Sequence, residues 1–276
     1  MRYEYYYCTK STEQLLDFLS THRVKHTVRY GDVVFSLYSS QQNSAQLIKT
    51  LSSVYNCGTP LVFCNYSAKD RDEAEFLWIT PTKYCIDIRN KEQAYEYFCE
   101  FEHLPTHTKR VHHKRQVSML EIAKEPQIAS KTAFYAPDTG NHEIFVDHRI
   151  KSLAEKHNLK GLEFRPLGIR ENQVSSNIFQ LTSSHMWSMA TVARGHGEIS
   201  LFCPMCRKES LKIPSSYQMH LFRSQLDSSL DFMVSEPFWG EGIRYPVQVI
   251  SQKFYKLLQE NKLTGNLRVD PLILHD

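Results

Sequence analysis

Two segments of this chain repeat one pattern 104 residues apart, and no other feature of its 276 residues restricts the available folds as much. IFVDHRIKSLAEKHNLKGLEFRPLGI begins at Ile144, and QVISQKFYKLLQENKLTGNLRVDPLIL begins at Gln248. Leu153 aligns with Leu257, Leu159 with Leu263 and Gly161 with Gly265. Past one inserted residue, Asn266, Leu162 aligns with Leu267 and Pro166 with Pro271. Each segment opens on a strand-like apolar pair and reaches Asp147 or Ser251, whose oxygens suit the unpaired amides of a helix start. A helix of about three turns is expected next. Its apolar face holds Ile150, Leu153, Ala154 and His157 in the first segment, and Phe254, Leu257 and Leu258 in the second. Gly161 and Gly265 stand where a helix ends in a left-handed residue, which glycine adopts without steric cost. The chain then extends, and a proline closes the strand. A helix–Gly–strand unit used twice (144–169 and 248–274) implies two equivalent half-sheets or one pseudo-symmetric domain.

The fold class expected is α+β, with the repeat confined to the second of two domains. Residues 1–102 alternate strand and helix. RYEYYYC reads as a strand, and STEQLLDFLSTH as a helix capped by Ser11 with Leu15, Leu16 and Leu19 on one face. HTVRYGDVVFSLYSS reads as a hairpin turning at Gly31-Asp32. A second helix, three short apolar strands and a third helix over NKEQAYEYFCEFEH complete this module. Residues 103–117 are basic and contain His103, His107, His112 and His113, with Pro105 opposing a stable helix, so they are expected to form a solvated linker. Residues 118–276 form the second domain, which carries the repeat.

Cys203 and Cys206, in FCPMCRKES, have the spacing of a zinc knuckle, and a structural zinc requires four ligands. The completions available are His185, His196 and His220, or the pair Cys57 and Cys64; the competing reading is two free thiols near a turn. A structural zinc at Cys203 and Cys206 is the one cofactor the sequence leaves open. The seven cysteines are odd in number and scattered, and no apolar run follows Arg2 as in a secretory signal. A cytoplasmic location is therefore expected. No stretch of 18 apolar residues suggests a membrane partner. Net charge is +3, from 33 basic and 30 acidic residues, and aromatics are not interleaved with the basic run. Nucleic acid is therefore a disfavoured partner, and the zinc-knuckle nucleic-acid reading ranks as an alternative. The sequence says nothing of oligomeric state.

The order helix–Gly–strand, CxxC, then a second helix ending in LTG before a strand resembles the double-CxxCG-motif group of bacterial immunity proteins of polymorphic-toxin and kin-discrimination systems. The resemblance covers residues 142–276, about half of the chain. It departs from the group's pattern where Arg207 stands in place of glycine, and where CGTPLVFC replaces a second CxxC. Such membership implies a cytoplasmic protein that neutralises one cognate toxin, encoded nearby, by stoichiometric binding and without catalysis. An enzyme that reverses the toxin's modification is the further alternative.

No phosphate-binding glycine loop, serine nucleophile elbow or HExxH helix occurs, and no catalytic residue is assigned. His196-Gly197-Glu198 lies only five residues before Cys203, too close to build the two separate helices of a zinc deaminase. An inhibitor's contact site is expected to contain aromatic and arginine anchors. The stretch SEPFWGEGIRYP has that composition, which assigns Phe238, Trp239, Glu241, Arg244 and Tyr245 as toxin-binding residues. The competing reading packs Phe238 and Trp239 into the core.

Overall fold

The computed structural model describes residues 2–57, 61–82, 84–97, 114–137, 143–169, 173–187, 198–202, 209–212, 218–236 and 246–276. The chain is α+β. It divides into two compact units, Met1–Asp70 with Pro214–Gln218, and Arg71–Ile213 with Met219–Asp276. The expected boundary near residue 102 is therefore corrected to residue 70. The reason is strand pairing: Phe76–Pro81 lies between two strands of the C-terminal half of the chain and hydrogen-bonds to both.

The first unit runs β1 (Arg2–Lys10), α1 (Glu13–Thr21), β2 (His26–Arg29), β3 (Asp32–Tyr38), α2 (Ser44–Ser53) and β4 (Leu61–Asn65). The antiparallel sheet order β2-β3-β1-β4 makes this a split β-α-β arrangement. The hairpin turns on Tyr30 and Gly31, both at positive φ (52° and 81°), the combination a two-residue type I′ turn requires. Thr12, not Ser11, caps α1: its Oγ1 accepts from the Leu15 amide at 3.2 Å. Ser11 instead donates its amide and its hydroxyl to the Gly31 carbonyl. Alternation along β3 sends Val33, Phe35 and Leu37 inward against Tyr7, Leu15, Leu19, Leu47 and Leu51. Ser67 and Asp70 then exchange bonds as a capping box at α3 (Ala68–Glu73), an element the sequence reading omitted.

The second unit contains β5 (Phe76–Pro81), β6 (Tyr84–Ile86), α4 (Lys91–Ala94), β7 (Tyr95–Tyr97) and β8 (Lys114–Gln116). Next come β9 (Phe134–Pro137), β10 (Ile144–Asp147), α5 (His148–His157), β11 (Glu163–Gly168), β12 (Val174–Thr182) and β13 (Met186–Trp187). The pair β14 (Glu198–Phe202) and β15 (Glu209–Lys212) follows. The unit ends with β16 (His220–Phe222), β17 (Phe232–Ser235), β18 (Gln248–Ser251), α6 (Gln252–Glu260), β19 (Leu267–Pro271) and β20 (Ile273–His275). Of the helix expected over residues 90–103, Lys91–Ala94 is helical among the described residues, after which the chain turns into β7. The end of the expected linker is also structured, since Lys114–Gln116 pairs with Tyr95–Tyr97.

Two five-stranded sheets organise this unit, in the orders β11-β12-β10-β9-β6 and β13-β17-β18-β5-β19. Their buried side chains form one apolar cluster, in which Phe134, Val146 and Ile150 meet Leu77, Ile79, Phe232, Ile250, Phe254 and Leu258. Both helices start as the sequence indicates. Asp147 Oδ1 accepts from the Arg149 amide at 3.0 Å, and Ser251 Oγ accepts from the Phe254 amide at 3.1 Å. The helix ends differ from expectation. The left-handed residues just past the helices are Asn158 (φ 49°) and Lys262 (φ 57°), themselves 104 residues apart, whereas Gly265 is not left-handed. The two glycines serve close approach instead. A Cβ on Gly161 (φ 86°) would stand 2.2 Å from the Phe232 carbonyl oxygen, and one on Gly265 would stand 2.7 Å from that of Lys131.

Candidate functional site

Every residue assigned to toxin contact from the sequence (Phe238, Trp239, Glu241, Arg244 and Tyr245) lies outside the described residues. So do Cys203, Cys206 and His196; the two cysteines belong to the segment joining β14 to β15. Of the proposed completions of a zinc shell, His185 is exposed and its amide donates to Ser183 Oγ. His220 is placed beside His275. Cys57 and Cys64 are buried in the first unit. Burial pushes the Cys57 thiol upward, away from the thiolate form a metal ligand must adopt. Among the described residues, no group of three or more His, Cys, Asp or Glu side chains converges on a point.

The structure instead draws attention to residues the sequence reading passed over. After β8 the chain runs as an irregular segment, residues 117–122, whose backbone is pinned along its length. The Val117 amide donates to Ala94 O (2.9 Å), and Asn90 clamps the middle by donating from Nδ2 to Met119 O and accepting the Glu121 amide at Oδ1. Gly168 at the end of β11 closes the ladder, donating to Leu120 O and accepting from the Ile122 amide, each at 2.8 Å. Leu120 and Ile122 are buried in a cluster with Ile86, Tyr95, Phe145 and Ile178. Val117 and Met119 consequently face outward and are 52% and 41% exposed. Val174, opposite Gly168 in the β11–β12 ladder, is 52% exposed as well.

Val117 and Met119 border a groove of about 320 Å³ lined by Gln116, Val117, Ser118, Met119, Arg165 and Pro166. Gln116 is held on both sides, donating to Ser118 O and accepting from Gln180 Nε2 at 2.8 Å. β11 is the outer strand of its sheet, and its exposed Arg165 and Pro166 form the opposite wall. Large apolar side chains fixed outward on a hydrogen-bonded backbone, beside an exposed arginine, have the make-up of a protein contact. The surface is preorganised, so ordering it on binding costs little. An alternation signal existed in the sequence. In QVSMLEI, the positions of Leu120 and Ile122 fix the inward parity, which leaves Val117 and Met119 on the same face as Glu121.

Two other concavities are committed to the fold. The larger, about 510 Å³, is lined by residues 124–129 with Thr132 and Tyr135. Its carboxylate, Glu125, accepts from Ser175 Oγ and from Asn177 Nδ2, and the Tyr135 hydroxyl donates to Thr132 O. The second, about 390 Å³, lies along α5 and includes His148, Arg149 and Lys156. Arg149 donates there to Asp147 and to the carbonyls of Ala129, Ser130 and Thr132, so its guanidinium fastens a loop. The buried Asp147 carboxylate holds that guanidinium firmly in its charged form.

Comparison with known protein families, with curated proteins and with solved structures finds no match to this chain.

Proposed function

We propose that this chain is an immunity-type inhibitor, which neutralises a toxin encoded beside it by stoichiometric binding and without turnover. The observation that carries the reading is the outward-facing pair Val117 and Met119 on the groove at Arg165. It joins the sequence resemblance over residues 142–276, in which two strand–helix–strand units bracket a CxxC. On this reading the units are copies of one module, β9-β10-α5-β11-β12 and β17-β18-α6-β19 with β5. β12 occupies in the first sheet the place β5 occupies in the second: each pairs with both the strand before the helix and the strand after it. The cytoplasm is the proposed location, and the segment bearing Phe238, Trp239, Glu241, Arg244 and Tyr245 is a second proposed contact. Cys203 and Cys206 are retained as a proposed structural zinc site.

Co-expression with the adjoining toxin gene, followed by co-purification, tests the reading. Growth rescue with a one-to-one complex is expected. Rescue without a complex would instead identify an enzyme that reverses the toxin's damage, and no rescue would end the immunity reading. An inhibitor interface typically buries about 1,600 Å² and depends on a few anchors. The double variant Val117→Asp/Met119→Asp should therefore weaken binding by about 2 kcal/mol or more while leaving the melting temperature unchanged. Trp239→Ala with Arg244→Ala provides the matching test of the second proposed contact.

A further inference from the structure

The parallel strands β16 and β20 bring two histidines from distant parts of the second unit together. His220 Nδ1 stands 2.9 Å from His275 Nε2, their ring centroids are 5.2 Å apart, and the ring planes differ by 30°. The pairing register fixes this juxtaposition, with His220 opposite Ile273 and Phe222 opposite His275. One nitrogen of the facing pair carries the proton and the other presents its lone pair. Replacing that proton with a metal ion gives each ring a bond.

We propose that His220 and His275 form a two-imidazole site for a divalent transition ion of tetragonal preference, Cu²⁺ or Ni²⁺. The separation selects the geometry. Two imidazole nitrogens each about 2.05 Å from an ion stand about 2.9 Å apart at adjacent, right-angled positions and about 3.3 Å apart in a tetrahedron. The observed 2.9 Å matches the right-angled case, so ring rotation aims both lone pairs at one ion with the strands in place. The surroundings favour a cation. Arg223, next to Phe222, binds both Glu75 and Asp276, so these three groups sum to one net negative charge beside the pair (two carboxylates, one guanidinium). The ion also staples β20 to β16 across 55 residues of chain.

The test uses the full chain carrying Cys203→Ser and Cys206→Ser, so that the CxxC cannot capture the ion, titrated with NiCl₂ by calorimetry. One ion per chain is expected, with affinity at least tenfold weaker in both His220→Asn and His275→Asn. Ni²⁺ should raise the urea midpoint of the parent and of neither variant. Unchanged affinity in the histidine variants would place the ion elsewhere, with the histidine-dense 103–113 segment the first suspect, and overturn the proposal. A second readout is spectroscopic: with less than one equivalent of Cu²⁺, electron paramagnetic resonance of the same chain should show two coordinated imidazole nitrogens, and fewer in His220→Asn. A single nitrogen would equally overturn the site.

Discussion

The strands that follow the two helices, β11 and β19, have different fates although each lies at the end of its sheet. In the alignment of the two segments, Arg165 corresponds to Asp270 and Pro166 to Pro271. Arg165 and Pro166 are exposed on β11, whereas Val269, Asp270 and Pro271 are all buried on β19. On β19, by contrast, Arg71 Nε donates to Val269 O at 2.8 Å, which ties a side chain from outside the sheet onto this strand. β11 has the pinned segment 117–122 beside it, joined only at Gly168 and diverging into the groove. One position is thus buried in one place and forms an exposed groove wall in the other. On the reading proposed above, the open edge beside a fixed apolar segment is the contact side of this unit, and the alignment locates it as the side where a buried aspartate gives way to an exposed arginine.

The loops after the helices give the sharpest test of how deep the equivalence runs. Lys160 O accepts from the amides of Asp231 and Phe232, at the start of β17. Gly265 in turn donates to Lys131 O, just before β9. Each loop therefore fastens to the strand entering the other sheet. Gly161→Val should be the most damaging change, about 4 kcal/mol or loss of folding, because it combines positive φ with a Cβ 2.2 Å from a backbone oxygen. Gly265→Val meets tight contacts at 2.7 and 2.9 Å without the left-handed penalty and should cost about half as much. Denaturant melts of the two variants decide the matter; equal losses would mean that the glycines do the same job after all.

The helix starts place the same kind of group on different residues. In the first module the carboxylate is the cap itself: Asp147, fully buried, accepts both from the helix and from Arg149. In the second the cap is Ser251, and the carboxylate sits across the ladder at Asp231, which accepts from Ser251 Oγ (2.7 Å) and the Lys160 amide (2.9 Å). Asp147→Ala removes a cap and strands a partly buried guanidinium, for a loss of about 3 kcal/mol. Asp231→Ala should cost about 2 kcal/mol, mostly in hydrogen bonds, because its ion partner Lys253 is 56% exposed and contributes little. If Asp231→Ala proves the more damaging in urea titrations, the exposed lysine contributes more than its solvation allows.

What the sequence revealed follows the reach of each interaction. Helix starts at Asp147 and Ser251 and the turn at Gly31 were legible because cap and turn chemistry acts within about four residues. Ser11 was misread as a cap because its true partner, Gly31 O, lies 20 residues away. The domain boundary failed for the same reason on a larger scale. Phe76–Pro81 has the apolar character of any buried strand, and nothing local says that it pairs with residues 248–251 and 267–271. The groove was passed over because its walls come from 116–119 and 165–166, and exposure of Met119 depends on Asn90 and Gly168 holding the backbone. By contrast, the pairing of His220 with His275 is a matter of strand register, which no spacing along the chain encodes.

The smallest effect expected returns to Arg165 and Asp270. Burial pushes the Asp270 carboxyl upward, only partly offset by Arg268, whose Nε lies 2.6 Å from Oδ2. The folded chain therefore holds this proton more tightly than the unfolded chain does. The associated stability is fully present below the ordinary aspartate value of about 3.9 and is lost as pH rises through the folded value. Asp270→Asn should accordingly gain on the parent as pH rises from about 4 to 7, and the gain should then level off. Asp70 acts in the opposite sense. The amide and hydroxyl of Ser67 hold its carboxyl down at about 2, so its contribution is lost only as pH falls below about 3.9. Urea midpoints measured between pH 4 and 7 thus isolate Asp270. A parent-minus-variant difference that stays flat over that range would show that Arg268 fully compensates the burial. Arg165→Asp, placing the same side chain at the corresponding exposed position, should change the unfolding free energy by less than about 0.5 kcal/mol at any pH in this range, because water solvates the charge there.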